Sequence, residues 1–386
     1  MRVRLPQKEL QQATQVVSAL VGRASSPMPV LSTILIIAEK GVIRLEGTDI
    51  ESQVIVTASG NIEREGRTTV EASRLASLVK LFPAGSDVVI DASDGKALIS
   101  CESNEYKLLT MPTEDFPEWT RETGTTRIRL EAKALKYMLG AAQYAVASGK
   151  DGRRVLYGVF VEIKDNTLRF TATDGKKLSR VTKSISEVEG KGETSLILPA
   201  KPAAEIQKSL PDEGPVDIEF APRQIFVTAG NVTFRTQSID GKYPDCDAVI
   251  PKEFPFEVRF DRDRFLNSVR RAGIVANDQN RSILMKLAEN SCDFQSVSHD
   301  IGSFNGKMPV QYSGETIRIA FNWEYLIETV SGFSDPEIRM FLKSSNSPII
   351  FRSEKEPDRL ALLMPIKLTS VPTMDGNGDD AENAGE

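Results

Sequence analysis

Residues 170–181 read FTATDGKKLSRV, and Thr173-Asp174-Gly175-Lys176-Lys177 sets a hydroxyl, an acid, a glycine and two ammonium groups side by side. That composition serves a phosphate loop, a catalytic turn, or a hairpin with charged trim. A phosphate loop needs glycine, four residues, then Gly-Lys-Ser/Thr opening a helix, because successive backbone N–H groups must cradle the anion. Five residues before Gly149, Gly175 and Gly190 stand Tyr144, Phe170 and Ile185, so none of these three Gly-Lys pairs fits. The one histidine, His299, lies in an alternating segment and reads as an exposed strand residue, without partners for a zinc site or a Ser-His-Asp array. Cys101, Cys246 and Cys292 are scattered and form no CxxC, a usage that fits a reducing cytoplasm. Asp375, Asn377, Asp379 and Glu386 stand at the first, third, fifth and twelfth positions of a calcium loop. Its sixth position must be glycine for the sharp turn and is Asp380, so a disordered acidic tail is expected there. We expect no enzyme, no cofactor and no metal.

The elements that carry these residues recur. RVRLPQKELQQA from Arg2, RIRLEAKALKYM from Arg127 and EVRFDRDRFLNS from Glu257 each read as a short alternating strand followed by a helix start. TTVEASRLASLVKLFP from Thr68, LILPAKPAAEIQKSLP from Leu196 and IRIAFNWEYLIETVSGF from Ile317 each read as a strand running into a helix. Between them GVIRLEGTDIE and NTLRFTATDGK match, with CDFQSVSHDIG as a weaker third copy. Three correspondences in one order predict three copies of a unit of two helices and several short strands. The fold class expected is α+β, with helices packed on antiparallel sheets and turns between strands at Asp94-Gly95, Asp151-Gly152, Gly230-Asn231 and Asp240-Gly241. The expected domains are 1–122, 123–252 and 253–370, then a tail at 371–386. A chain that copies a whole domain three times makes a surface, arc or ring more readily than one catalytic centre.

The formal charge is −6, but the last sixteen residues hold five acids and no base, so the body of the chain is nearly neutral. Its bases concentrate on the predicted helices: Lys8, Arg74, Lys80, Lys133, Lys136, Lys201, Lys208, Arg264, Arg270 and Arg271. A helical layer that is positive in every repeat can follow a phosphate backbone without reading sequence. No apolar run reaches membrane-spanning length and the N-terminal stretch has no signal-peptide core, so no membrane partner is expected.

TATDGKKL at 171–178, YSGETIRIAFNWEYL at 312–326, DGKYPD at 240–245 and LLMPIKL at 362–368 together resemble the bacterial DNA polymerase III beta subunits, the replication sliding clamps. GTDIE at 47–51, LTMPTEDFP at 109–117 and GRASSPMPVL at 22–31 extend the resemblance over residues 1 to about 368. It implies a head-to-tail homodimeric ring of six similar domains, helices inside, encircling double-stranded DNA non-specifically and topologically. Tyr106, Leu108, Ile274 and Val275 would form the dimer interface, with EYKLL as an edge strand. The DNA-facing candidates are Arg23, Arg74, Lys80, Lys136, Arg153, Arg154, Lys201 and Lys208.

The resemblance also implies a pocket for short linear peptides ending in apolar residues. Such peptides are carried by the polymerase III alpha subunit, the clamp loader, other polymerases and repair proteins. Its walls would be Leu156, Thr173, Gly175, Lys176, Lys177, Leu178, Pro244, Val249, Asn322, Tyr325, Leu362, Met364 and Pro365, with Gly175 allowing close backbone approach. This chain departs from the family at Lys176-Lys177, where His-Arg is common, at Ala248, where arginine is common, and at Arg154-Val155, where tyrosines often stand. A clamp-like paralogue that keeps the pocket as a peptide-binding scaffold is the alternative reading.

Overall fold

The computed structural model describes residues 1–21, 28–148, 153–276, 281–298 and 300–368. Arg23, His299, the turn at Asp151-Gly152 and the acidic tail lie outside them. The chain forms two compact units. One comprises Met1–Leu139, Val161–Leu168 and Ser184–Asp240; the other comprises Gly140–Phe160, Arg169–Lys183 and the chain from Gly241 onward.

Six α-helices stand among the described residues: α1 (Gln7–Ser18), α2 (Ala72–Leu81), α3 (Ala132–Gln143), α4 (Ala200–Ser209), α5 (Arg262–Gly273) and α6 (Trp323–Ser331). Each follows a strand without a loop, as the repeats predict. Arg2–Pro6 alternates exposed and buried residues, then Leu10, Ala13, Thr14 and Val17 bury one stripe of α1. The period of burial thus changes from two to three and four within one residue. α5 and α6 start at side-chain caps: Asp261 accepts from Arg264 N (2.8 Å), and Asn322 accepts from Glu324 N (2.9 Å) and Tyr325 N (3.3 Å).

The sheets are antiparallel. In the first unit, five strands run in the order Asn61–Arg64, Arg2–Pro6, Asp87–Ser93, Lys96–Cys101, Asn104–Leu109. A nine-stranded sheet joins the first two repeats, because Val232–Gln237 pairs directly with Ser52–Ala58, Val232 opposite Val56. In the second unit, Gly302–Pro309, Ser291–Ser298, Ser282–Ala288 and Ile317–Asn322 form a four-stranded sheet. A further run of strands there is Lys177–Ser184, Arg359–Leu363, Ile349–Arg352, Glu337–Leu342 and Phe256–Asp261.

α5 and α6 bury Phe265, Leu266, Val269, Leu326 and Val330 against Val258, Phe260, Phe294 and Phe351 of these strands. The Phe260 and Phe265 rings stack at 4.3 Å. Each such side chain contributes roughly 1.5–3 kcal/mol by leaving water, so this core is a stiff support for whatever its surface carries. Among the described residues no helix is long and apolar enough to cross a membrane.

Candidate functional site

The Thr-Asp-Gly-Lys-Lys stretch is a turn that satisfies itself. The Asp174 carboxylate accepts from Lys176 N (2.8 Å) and Lys177 N (2.9 Å). The Thr173 hydroxyl donates to the Lys177 carbonyl (2.7 Å) and accepts from Gly175 N (3.0 Å). Those N–H groups are committed to the turn's own oxygens and cannot hold a phosphate. Gly175 sits at φ +89° with open space where a Cβ would lie, so glycine is required by the backbone angle and not by a crowded neighbour. The first repeat builds the same turn: Thr48 donates to Ser52 O (2.7 Å), Asp49 accepts from Ser52 N (2.9 Å), and Ile50 takes φ +80°. The motif is therefore structural in origin, and function enters through what the second copy adjoins.

What it adjoins is the last strand. Lys177 faces Leu363 and Leu178 faces Leu362 in register, and Met364 N donates to the Lys176 carbonyl (2.8 Å) as the chain leaves the sheet. Ile366 N then donates to the Ala320 carbonyl (2.7 Å), which seats Pro365 beside the strand that ends in Asn322. Asn322 spends its side-chain oxygen capping α6 and so places Tyr325 in the first turn. Thr173 N donates to the Tyr243 hydroxyl (3.1 Å), which positions Pro244. Asp247, in the short 3-10 turn Asp247–Val249, pairs with Arg180 and lies 3.9 Å from Arg169. The Arg180 hydrogen bond holds its carboxyl below the usual aspartate value.

Val249 and Met364 are left as exposed apolar side chains, while Leu156, Leu178 and Leu362 are buried beneath. Pro244, Tyr325 and Pro365 are half-buried. All thirteen expected pocket residues belong to the second unit. Lys177 is the exception to its expected role: it is buried, its ammonium paired with Glu328 of α6 and 3.8 Å from Asp174. Lys176 is exposed, with its Nζ 5.9 Å from the Tyr325 ring centre. The surface offers apolar contacts, an adaptable methionine and a cation, and no nucleophile. Burial pushes the Cys246 thiol up to about 11 and raises Cys292 as well, far from a reactive thiolate.

The expected DNA-facing cations divide into two sets. Arg74 pairs with Glu71 (2.6 Å), Lys136 with Asp212 (2.8 Å), Lys201 with Asp49 (2.7 Å) and Lys208 with Glu205 (3.0 Å). Lys80 and Arg153 are exposed with no acidic partner among the described residues, and Arg154 is exposed. Exposed pairs are weak and exchange readily, so the first set can trade a carboxylate for a phosphate at small cost.

Each unit has a sheet edge that no further strand pairs among the described residues. Asn104–Leu109 is the outer strand of the five-stranded sheet, with Tyr106 against Phe82 (5.9 Å), Leu108 half-buried and Leu109 78% exposed. Gly302–Pro309 is the outer strand of the four-stranded sheet. In the same unit α5 is followed by its capping residue Ile274, 75% exposed, and then by half-buried Val275. An exposed edge lined with apolar side chains calls for a partner.

Three family models match in chain order: the N-terminal domain of the DNA polymerase III beta subunit at residues 1–120, its central domain at 129–245 and its C-terminal domain at 247–367. The chain belongs to the DNA polymerase III beta subunit family. The beta sliding clamp of Pseudomonas putida KT2440 is 28% identical over 374 residues, covering 95% of this chain and 100% of that one. The Escherichia coli K12 clamp is 25% identical over 359 residues, 92% of this chain and 96% of that one. The solved sliding clamp from Bartonella birtlesii bound to griselimycin superposes with a TM-score of 0.91 at 28% identity, covering 95% and 100% of the two chains. The beta subunit from Thermotoga maritima gives 0.88 at 26% identity, covering 95% and 99%. The beta sliding clamps of this family are non-catalytic processivity factors.

Two groups beside the expected pocket residues were not among those the sequence singled out. Glu328 lies one helical turn after Tyr325, so helical spacing from Tyr325 was the available signal. Asp174 was not among the expected pocket residues, although an acid two residues before Lys176 marks a side-chain-locked turn. Leu109 alternates with Leu108 and so faces away from it, and the edge presents apolar side chains on both sides.

Proposed function

We propose that two copies of this chain close head to tail into a ring around duplex DNA and tether partner proteins through the pocket of the second unit. The pair of uncovered edges carries this reading. A contact between two different surfaces of one chain closes after two copies if the rotation permits, and closure removes both edges. Tyr106 and Leu108 of one copy then meet Ile274 and Val275 of the other. The three domains are 1–122, 123–252 and 253–370, and the cations of the helical layer face the duplex.

Non-specific phosphate contacts have Kd of roughly 10⁻⁴–10⁻⁶ M at physiological salt. Retention therefore comes from closure, and weak contacts permit sliding. The pocket takes short peptides with apolar anchors from the polymerase III alpha subunit, the clamp loader, other polymerases and repair proteins, in the cytoplasm where replication proceeds.

The four cations already paired to acids favour one second reading, a scaffold that binds peptides without encircling DNA. Sedimentation tests the ring first. The expected mass is near twice the 42.5 kDa of one chain, and a persistent monomer at micromolar concentration removes the ring.

A further inference from the structure

The two adjacent lysines of the 173–178 turn have different environments, and the difference has a consequence for ligand choice. Lys177 is the first residue of its strand, faces Leu363, and is buried. Its ammonium bonds Glu328 on α6, lies 3.8 Å from Asp174, and sits 4.8 Å from the Tyr325 ring centre. A lysine so placed ties the turn to the helix that carries Tyr325, two walls of the pocket. It is held from both sides by acids and is not offered to a ligand. Lys176, one residue earlier, is exposed, its Nζ 5.9 Å from the Tyr325 ring centre and its carbonyl bonded by Met364 N, and it has no acidic partner among the described residues.

The acids that could have neutralised Lys176 are engaged elsewhere. Asp174 is bound by the turn's own N–H groups, Glu328 by Lys177, Asp247 by Arg180 and Arg169, and Glu324 by Arg281. Asp245 accepts from Asp247 N (3.0 Å). The pocket therefore presents exposed apolar side chains, Val249 and Met364, and a cation that no acid among the described residues neutralises.

We infer that Lys177 is a positioning residue that latches the turn to α6 through Glu328, and that Lys176 selects peptides carrying a carboxylate close to their apolar anchors. This rests on the peptide-pocket reading above. It adds the chemistry of the preferred partner and separates the roles of two residues that look equivalent in sequence. The bound carboxylate replaces water at an exposed ammonium, so its effect is modest and salt-dependent, whereas loss of the latch disturbs every ligand alike.

The test uses the full-length protein and fluorescent, C-terminally amidated octapeptides ending in Leu-Phe. Glu or Gln is placed in turn at each of the three preceding positions. Wild type is expected to bind the Glu form about threefold more tightly than the Gln form at one or more positions in 50 mM salt, a gap that narrows at 300 mM. Lys176→Ala should bring the Glu peptide to the affinity of the Gln peptide. Lys177→Met should weaken both peptides by a common factor of about tenfold with the ratio kept. Glu328→Gln, at a more exposed site, should do the same if Lys177→Met folds poorly, and Lys177→Arg should restore binding.

Equal affinity of the Glu and Gln peptides at all three positions overturns the inference and leaves the pocket standing. So does a ratio that vanishes in Lys177→Met and survives in Lys176→Ala. Absence of binding by any of these peptides to wild type removes the pocket reading itself, and the inference with it.

Discussion

Ile274→Ala tests the proposed seam with a magnitude that follows from the structure. Ile274 is 75% exposed at the end of α5, so the isolated chain gains little from it. Truncation should change monomer stability by no more than about 0.5 kcal/mol. At a closed seam the same side chain is buried, and removing three carbons at roughly 0.8 kcal/mol each costs roughly 2 kcal/mol. A head-to-tail ring of two chains has two seams, each containing one Ile274, so dissociation into monomers becomes easier by roughly 4 kcal/mol. The dimer Kd should therefore rise about 1000-fold.

Sedimentation of dilution series from nanomolar to micromolar measures that Kd, and a thermal melt of the variant supplies the monomer control. Leu108→Ala should couple to it, the double variant losing less than the two single losses combined. An unchanged dimer Kd refutes the seam as drawn. A variant that melts well below wild type shows that Ile274 supports the monomer, contrary to its exposure.

Three further outcomes are expected. Met364→Ala should weaken binding of a Leu-Phe peptide by about 1–2 kcal/mol while the sedimented mass stays that of wild type; unchanged peptide affinity places the pocket elsewhere. Lys80→Ala should reduce the slope of log K against log salt for duplex DNA by about 0.9, and Lys208→Ala by less because Glu205 already engages Lys208 at 3.0 Å; equal slopes for both variants and wild type count against helix–phosphate contact. The third concerns Asp247, whose folded pKa is depressed by its Arg180 hydrogen bond. Its stabilisation is present above the unfolded value near 4 and is lost as pH falls through the lower folded value. The gap in Tm between wild type and Asp247→Asn should therefore narrow as pH falls below about 4, and a gap that stays constant on acidification contradicts this origin.

The strand-to-helix junctions were legible because a change of hydrophobic period is local. At Pro6-Gln7, Glu131-Ala132 and Asp261-Arg262 the burial period turns from strand to helix within a residue or two. The repeated turn at Thr48 and Thr173 was legible for the same reason, since hydroxyl, acid and N–H all come from five consecutive residues. Contacts between distant residues were not. That Lys177 is internal and Lys176 external depends on Glu328, 151 residues away, and on the register with Leu363. That Lys201 answers Asp49 depends on residues 152 apart, brought together when Val232–Gln237 pairs with Ser52–Ala58. Composition counted these lysines as surface charge, whereas folding decides which of them keep a free charge.

Retention on DNA of defined topology measures the central claim most directly. The protein is loaded on a nicked circular plasmid, separated from free protein by gel filtration, and the plasmid is then cut once. The account predicts that the protein stays with the circle through the column and leaves within minutes of linearisation, because an enclosing ring can run off only at an end. Equal retention on the circle and on the cut duplex would contradict it and make this chain an ordinary DNA-binding protein; no retention on the circle would leave a peptide-binding scaffold in place of a clamp.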